Sequence, residues 1–201
     1  MTTTDKRLIG DGELRNAVKR SLLAPLCKDP SILVIDELGL RHGAGRIDIA
    51  VVNGDLHGYE LKSDHDTLRR LPKQIGVYGS VLDRVTLVVT QHHFLQAIQM
   101  IPSWWDVLLA ESVHAGDVTF QIIRAGGVNP NISALAVAKL LWRDEALRLL
   151  EVHGAAKGLR SKPRRIIYAH LAELLDLHQI RTYVRNQLRA RKDWRLVERR
   201  M

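Results

Sequence analysis

Apolar residues recur at Leu14, Val18, Leu22 and Leu23, a helical spacing that predicts a helix over residues 11–26. Asp11 is placed to cap it, Glu13 lies in its first turn, and Pro25 and Pro30 bracket its exit. A β-branched run predicts a strand over 31–38, followed by a Gly-rich turn over 39–45. A strand over 46–52 then alternates Ile47, Ile49 and Val51 against Asp48. Asn53-Gly54-Asp55 is the strongest hairpin signal, and a third strand returns over 56–62. A helix over 67–81 is weakened by Pro72, Gly76 and Gly79. The near-continuous apolar run from Val85 to Val89 fits a strand at 84–90 buried on both faces. A helix at 92–100 and strands at 107–110 and 118–124 complete this part. After Gly126-Gly127 the pattern turns helical over 132–152, 162–177 and 178–200. The order is αβββαβ, then a mixed stretch, then helices, with a boundary near 126–131.

Composition narrows the class. The 201 residues are 46% hydrophobic and 26% charged, as in a globular chain with a full-sized core. No apolar run reaches the ~18 residues of a membrane helix, and the polar first ten residues lack a signal peptide's apolar segment. A single cysteine, Cys27, excludes an internal disulfide and a cysteine-cluster zinc site. The expectation is a cytoplasmic protein with no membrane partner. The formal net charge is +8. Residues 160–201 hold twelve Lys or Arg against four Asp or Glu, and the first 159 hold eighteen of each sign. The excess lies in the last fifth of the chain. Arg181, Arg185 and Arg189 share one helical face there, and Arg164 and Arg165 sit in a basic tract. That arrangement suits phosphate contact, and equally a solvated helix.

Chemistry concentrates on the hairpin. Glu60 and Lys62 project to one strand face, and an antiparallel pairing brings Asp48 beside Glu60. Adjacent carboxylates repel unless a cation lies between them, and all-oxygen donors suit Mg²⁺ or Mn²⁺. A lysine beside such a site can orient a water or neutralise developing charge.

The segment Arg46-Ile-Asp-Ile-Ala-Val-Val, the turn, and Gly58-Tyr-Glu-Leu-Lys-Ser resemble the PD-(D/E)xK nuclease superfamily, whose core is also αβββαβ. Gln74 and Tyr78 resemble the Q-x-x-x-Y element of its RecB-like branch, and Glu13 matches the first-helix acid of many members. Further similarity to small bacterial members runs from Ile35 to Thr90. Ile47 departs from the proline of the name. The resemblance implies a restriction-endonuclease-like α/β fold with a mixed central sheet over residues 1–128, followed by a basic all-helical region over 129–201. It implies a metal-dependent DNA nuclease acting in repair, recombination or defence against foreign DNA. Asp48 and Glu60 would bind Mg²⁺ (or Mn²⁺), with the Leu61 carbonyl as a backbone ligand and Lys62 as the catalytic lysine. Glu13 would complete the metal site, and Gln74 and Tyr78 would support it.

Other readings stand beside these. Glu37 ends a strand near the motif, either as a further metal ligand or as a turn residue. Glu13 is equally a first-turn carboxylate favoured by the helix dipole. Ser63, Asp64 and Asp66 are placed to cap the next helix. Adjacent His92 and His93 face apart and lack a ligand partner. The four tryptophans suit packing or base stacking. A helix-turn-helix cadence over 171–191 would aim Arg181, Tyr183 and Arg185 at a groove. The alternatives to cleavage are a non-cutting DNA-binding or recruiting module on a nuclease fold, and a helix-turn-helix-like regulator. One site per chain is compatible with a homodimer that cuts both strands.

Overall fold

The structure, a computed structural model, describes residues 7–114 and 117–191. A six-stranded sheet runs in the order β1 (Leu33–Leu40), β2 (Gly45–Val52), β3 (Leu56–Lys62), β4 (Arg84–Thr90), β5 (Asp106–His114) and β6 (Asp117–Arg124). β1, β2 and β3 pair antiparallel, β3–β4 and β4–β5 pair parallel, and β5–β6 pairs antiparallel. The sheet is mixed, as expected. Its parallel steps carry the crossover helices α2 (Leu71–Gly79) and α3 (Gln91–Met100), since parallel neighbours need a long connection.

α1 (Asp11–Val18) continues through one wide turn at Lys19–Leu23, and packs Leu14, Ala17 and Val18 against Ile49, Val51, Leu61 and Val88. The opposite sheet face forms a larger core with α2 and the C-terminal helices α4 (Ala134–Ala138), α5 (Arg143–Val152), α6 (Arg164–Leu174) and α7 (Leu177–Ala190). The helix expected over 132–152 is two helices with a break at residues 139–142. The third helix, expected over 178–200, ends at Ala190 with Arg191 in extended backbone, and the rest of the expected span lies outside the described residues.

The two regions share one core. Tyr78 of α2 and Trp105, just before β5, belong to the same core as Tyr168, Leu171, Ile180, Val184 and Leu188. The connection at 126–133 is fastened to the body. Asn129 donates to the carbonyls of Gly79 (2.7 Å) and Leu82 (2.8 Å), and a Cβ on Gly126 would lie 2.3 Å from the Trp104 carbonyl oxygen.

One strand departs from simple alternation. Ile47 joins the α2-side core with Ala50 and Val52, while Ile49 and Val51 face α1. The break falls at Asp48. Opposite it Glu37 sits at φ 54, between the pairs Asp36↔Ile49 and Leu38↔Ile47. Left-handed backbone at a non-glycine interrupts the pleat, and such positions cluster at functional sites. No helix among the described residues is long and apolar enough to cross a membrane.

Candidate functional site: a carboxylate pair with a buried lysine

β2 and β3 part company after Ile49↔Tyr59. From there the Leu61 N–H donates to Asp48 Oδ2 at 2.8 Å, so a side chain takes over from the ladder. The Asp48 carboxylate thereby stands beside the end of β3, which carries Glu60 and Lys62. Asp48 stays partly open to water, whereas Glu60 and Lys62 are 1% and 2% exposed.

Glu60 is held by three donors. Lys62 Nζ reaches Oε1 at 2.5 Å, Gln74 Nε2 reaches Oε1 at 2.7 Å, and the Tyr78 hydroxyl reaches Oε2 at 2.7 Å. Gln74 and Tyr78 stand one turn apart on α2, and Gln74 Nε2 also meets the Tyr78 hydroxyl at 3.1 Å. That hydroxyl lies 2.6 Å from the Arg46 carbonyl, which ties α2 to the start of β2. Burial, reinforced by Glu60, pushes the Tyr78 pKa well up and keeps it a proton donor.

Burial also raises Asp48, against the Leu61 N–H and the charges of Lys62 and Arg15. Burial and then the Asp48 charge raise Glu60, against Lys62 and its hydrogen bonds. Asp48 thus makes Glu60 costlier to ionise, a repulsion that a cation between the two carboxylates would relieve. Gln74 Oε1 is buried and lacks a hydrogen-bond partner, so an oxygen donor stands in reserve beside Glu60.

The structure assembles some of the expected residues and disperses others. Asp48, Glu60, Lys62, Gln74 and Tyr78 come together as described. Glu13 instead pairs with Arg7 at 3.1 Å, its other oxygen buried without a hydrogen-bond partner. Glu37 pairs with Arg46 (3.1 Å) and Arg15 (3.9 Å). Neither reaches Glu60 through any recorded contact. Leu61 meets Asp48 through its N–H. Ser63 and Asp66 bond each other, Asp64 accepts from the Ile9 N–H, and no side chain caps α2. Asp11 is the first helical residue, with Gly10 at the cap position, and it meets the Ser63 hydroxyl.

Arg15, which the sequence pattern did not single out, is central. It donates to the Asp48 carbonyl at 2.8 Å, approaches its carboxylate at 3.4 Å, and lies 3.6 Å from Asp36. Its spacing of four from Asp11 on α1 was the available signal, because it puts both on one face.

Two members of the basic row on α7, Arg181 and Arg185, are turned toward the body. Arg181 and Arg185 pair with buried Asp83, Arg185 at 3.7 Å, and Arg181 also approaches Asp55 at 3.8 Å. Arg189 donates to the Ser31 carbonyl at 3.0 Å, and Tyr183 to the Glu145 carbonyl at 3.2 Å. These contacts engage Arg181, Arg185 and Tyr183 with the body instead of presenting them as an outward row, while Arg189 stays exposed. Arg164 and Arg165 are exposed at the start of α6.

Comparison with known proteins adds kinship. Residues 12–199 match the family described as Bacteriophage P4 protein cII. Protein cII of Enterobacteria phage P4 is 28% identical over 158 residues, covering 79% of this chain. The chain spans 59% of that relative's length. A solved structure of a protein of unknown function from Silicibacter pomeroyi is 21% identical, covers 72% of this chain and 91% of its own, and superposes with a TM-score of 0.43. A match across nearly the whole chain places this protein in the Bacteriophage P4 protein cII family.

Proposed function

We propose that this chain is a divalent-metal-dependent DNA nuclease of PD-(D/E)xK type. The observation that carries the reading is the convergence of Asp48, Glu60 and Lys62, with Gln74 and Tyr78 fixing Glu60. The donor set fits a hard cation: two carboxylates with raised pKa values, an unpartnered amide oxygen, and a water-accessible Asp48. Among the described residues no group of three or more His, Cys, Asp or Glu side chains is placed to hold a metal. Asp48 and Glu60 would therefore hold Mg²⁺ or Mn²⁺ with the Leu61 carbonyl and water, a sparse shell of the kind Mg²⁺ accepts. When bound, that ion would polarise a scissile phosphate and ease deprotonation of a water. Lys62 Nζ, held beside Glu60, supplies a charge to steady the phosphate oxygens and a donor to orient the attacking water. Arg15 keeps the Asp48 carboxylate turned to the site. Tyr78 and Gln74 stop Glu60 from swinging away.

One observation favours a second reading, a DNA-binding or recruiting module that does not cut. Both Glu60 oxygens already have donors from the chain, and Lys62 neutralises it. Purified protein incubated with Mg²⁺ or Mn²⁺ over linear, supercoiled, branched and single-stranded DNA separates the two. Asp48→Asn and Lys62→Met should each lower cleavage at least a hundredfold while leaving DNA binding in place. Cleavage indifferent to either change would end the nuclease reading. Absence of both cleavage and divalent-ion binding would favour the second.

A further inference from the structure

A cavity of about 330 Å³ opens between the β1–β2 turn and the C-terminal helices. It is within the size range of small-ligand sites. His42, Lys139, Arg143, Arg164, Arg191 and Trp142 line it, and no carboxylate does. Arg191 is engaged with Glu145 at 2.6 Å. Arg143 bonds the Arg160 carbonyl and lies 3.6 Å from exposed Asp144. Lys139 and Arg164 have no carboxylate partner among the described residues. Positive charge is thus gathered in a concave place and left partly unanswered, the condition that draws an anion.

Three further features point the same way. Arg41, His42 and Gly43 run consecutively through left-handed backbone, at φ 50, 56 and 87. Such strain at two non-glycine residues costs about 1–3 kcal/mol each and persists where a position must be held. It presents His42 against Tyr168, with ring centroids 5.3 Å apart. Partial burial first, then the charges of Arg164 and Lys139, lowers the His42 pKa. The N-termini of α5 and α6 both border the cavity, and α6 has neither a side-chain cap nor an acidic residue in its first turn. The free N–H groups of α6 add to the field for an anion, whereas α5 is capped and carries Asp144 and Glu145 in its first turn.

Trp142 adds a second kind of chemistry. It is 54% exposed, with the Arg191 guanidinium 4.4 Å from its ring centroid. The adjoining cleft shares Trp142, Arg143 and Arg164 with the cavity and adds Arg148 together with Asp144 and Glu145, of which Glu145 is already paired with Arg191. An open indole among arginines is a platform for an unpaired base whose phosphates meet the cations.

We infer that this cleft binds single-stranded nucleic acid, with a base stacked on Trp142 and its phosphates held by Lys139, Arg143 and Arg164. The position suits the proposed nuclease. Gly39 on the cavity wall pairs with Arg46, whose carbonyl meets the Tyr78 hydroxyl that holds Glu60. The inference extends the nuclease reading by naming the form of DNA. Binding measured without divalent ions stands or falls separately from cleavage.

The test is fluorescence anisotropy with a labelled dT15 oligonucleotide, full-length protein and EDTA, across a salt series. Lys139→Gln with Arg164→Gln should weaken binding at least tenfold and flatten the salt slope by about 1.4, the share of two charges on a single strand. Trp142→Ala should cost about five- to hundredfold with an unchanged slope, and Trp142→Phe should restore most of it. Unchanged affinity and slope in the double variant would overturn the proposal. So would equal losses for a duplex in Trp142→Ala. Competition by dTMP at oligonucleotide concentrations would replace the strand by a free nucleotide, and so also overturn it.

Discussion

Asp83 offers the sharpest test of how the helical region is held. It is 2% exposed, and Oδ2 accepts the Leu56 N–H at 2.7 Å. Arg181 meets its other oxygen and Arg185 lies 3.7 Å from Oδ2, with side chains 23% and 13% exposed. Asp83→Ala strips the counter-charge from two half-buried guanidiniums. Removing one partner of a buried pair costs about 3–5 kcal/mol. Water reaches these arginines and Arg181 keeps Asp55 at 3.8 Å, so the low end, about 3 kcal/mol, applies. The orphaned Leu56 N–H adds about 1 kcal/mol, giving about 4 kcal/mol in all. With a urea m-value of about 2 kcal/mol/M, the midpoint falls by about 2 M. Burial raises the Asp83 pKa in spite of both arginines, so the pair is not a net source of stability. Asp83→Asn with Arg181→Met, which keeps an acceptor for Leu56, should therefore recover most of the loss. Urea titrations followed by fluorescence and circular dichroism measure both, provided the transitions coincide. A loss under 1 kcal/mol for Asp83→Ala would refute the reasoning. So would weakened DNA binding at unchanged stability in Arg181→Gln with Arg185→Gln, because those arginines would then be serving DNA.

Two further outcomes follow from named contacts. Tyr78→Phe removes a donor that favours ionised Glu60, so the acid limb of the cleavage–pH profile should move to higher pH, with a stability loss of about 1–3 kcal/mol; an unmoved limb would remove Tyr78 from the site's electrostatics. His57 lies 2.8 Å from the Thr86 hydroxyl and stacks on Tyr59, and burial lowers its pKa from 6.5 to about 4. The unfolded chain then binds more protons between those values, so stability should fall by about 2–3 kcal/mol as pH drops from about 6.5 through about 4. His57→Gln should flatten that window in a chemical-denaturation series, and an identical pH dependence in the variant would show that the proton uptake lies elsewhere.

The strand skeleton was readable because each strand carries its own signal. Asn53-Gly54 fixes the β2–β3 hairpin, and the Val85–Val89 run identifies a strand buried on both faces. From that hairpin alone, Asp48 and Glu60 fall side by side. Other features depend on distant partners. Ile47 has the spacing of Ile49 and Val51, yet faces the other core because Glu37, ten residues away, leaves extended backbone. The long helix expected over 132–152 breaks at a segment without glycine or proline, where Leu140 and Leu141 enter the core. Glu13 and Asp11 are both acids in the first turn of α1. Which one approaches Ser63 depends on how the helix is rotated against the sheet, and no local pattern encodes that rotation.

Charge shows the same division between pattern and partner. The +8 excess invited the view that a basic tail grips a polyanion. Three of its arginines are consumed in the fold: Arg181 and Arg185 by Asp83, Arg191 by Glu145. Each of those acids belongs to the first 159 residues, whose balanced composition hid the fact that they answer charges from the last 42. Burial of an acid at one end of the chain thus requires an arginine from the other, and the two regions become a single core. The cations left facing solvent in a concave setting, Lys139 and Arg164, lie on either side of residue 160 and are unremarkable in a running sum. Electrostatic function here follows from which charges lack partners, so the place to look for a ligand is the carboxylate-free cavity rather than the most basic stretch of sequence.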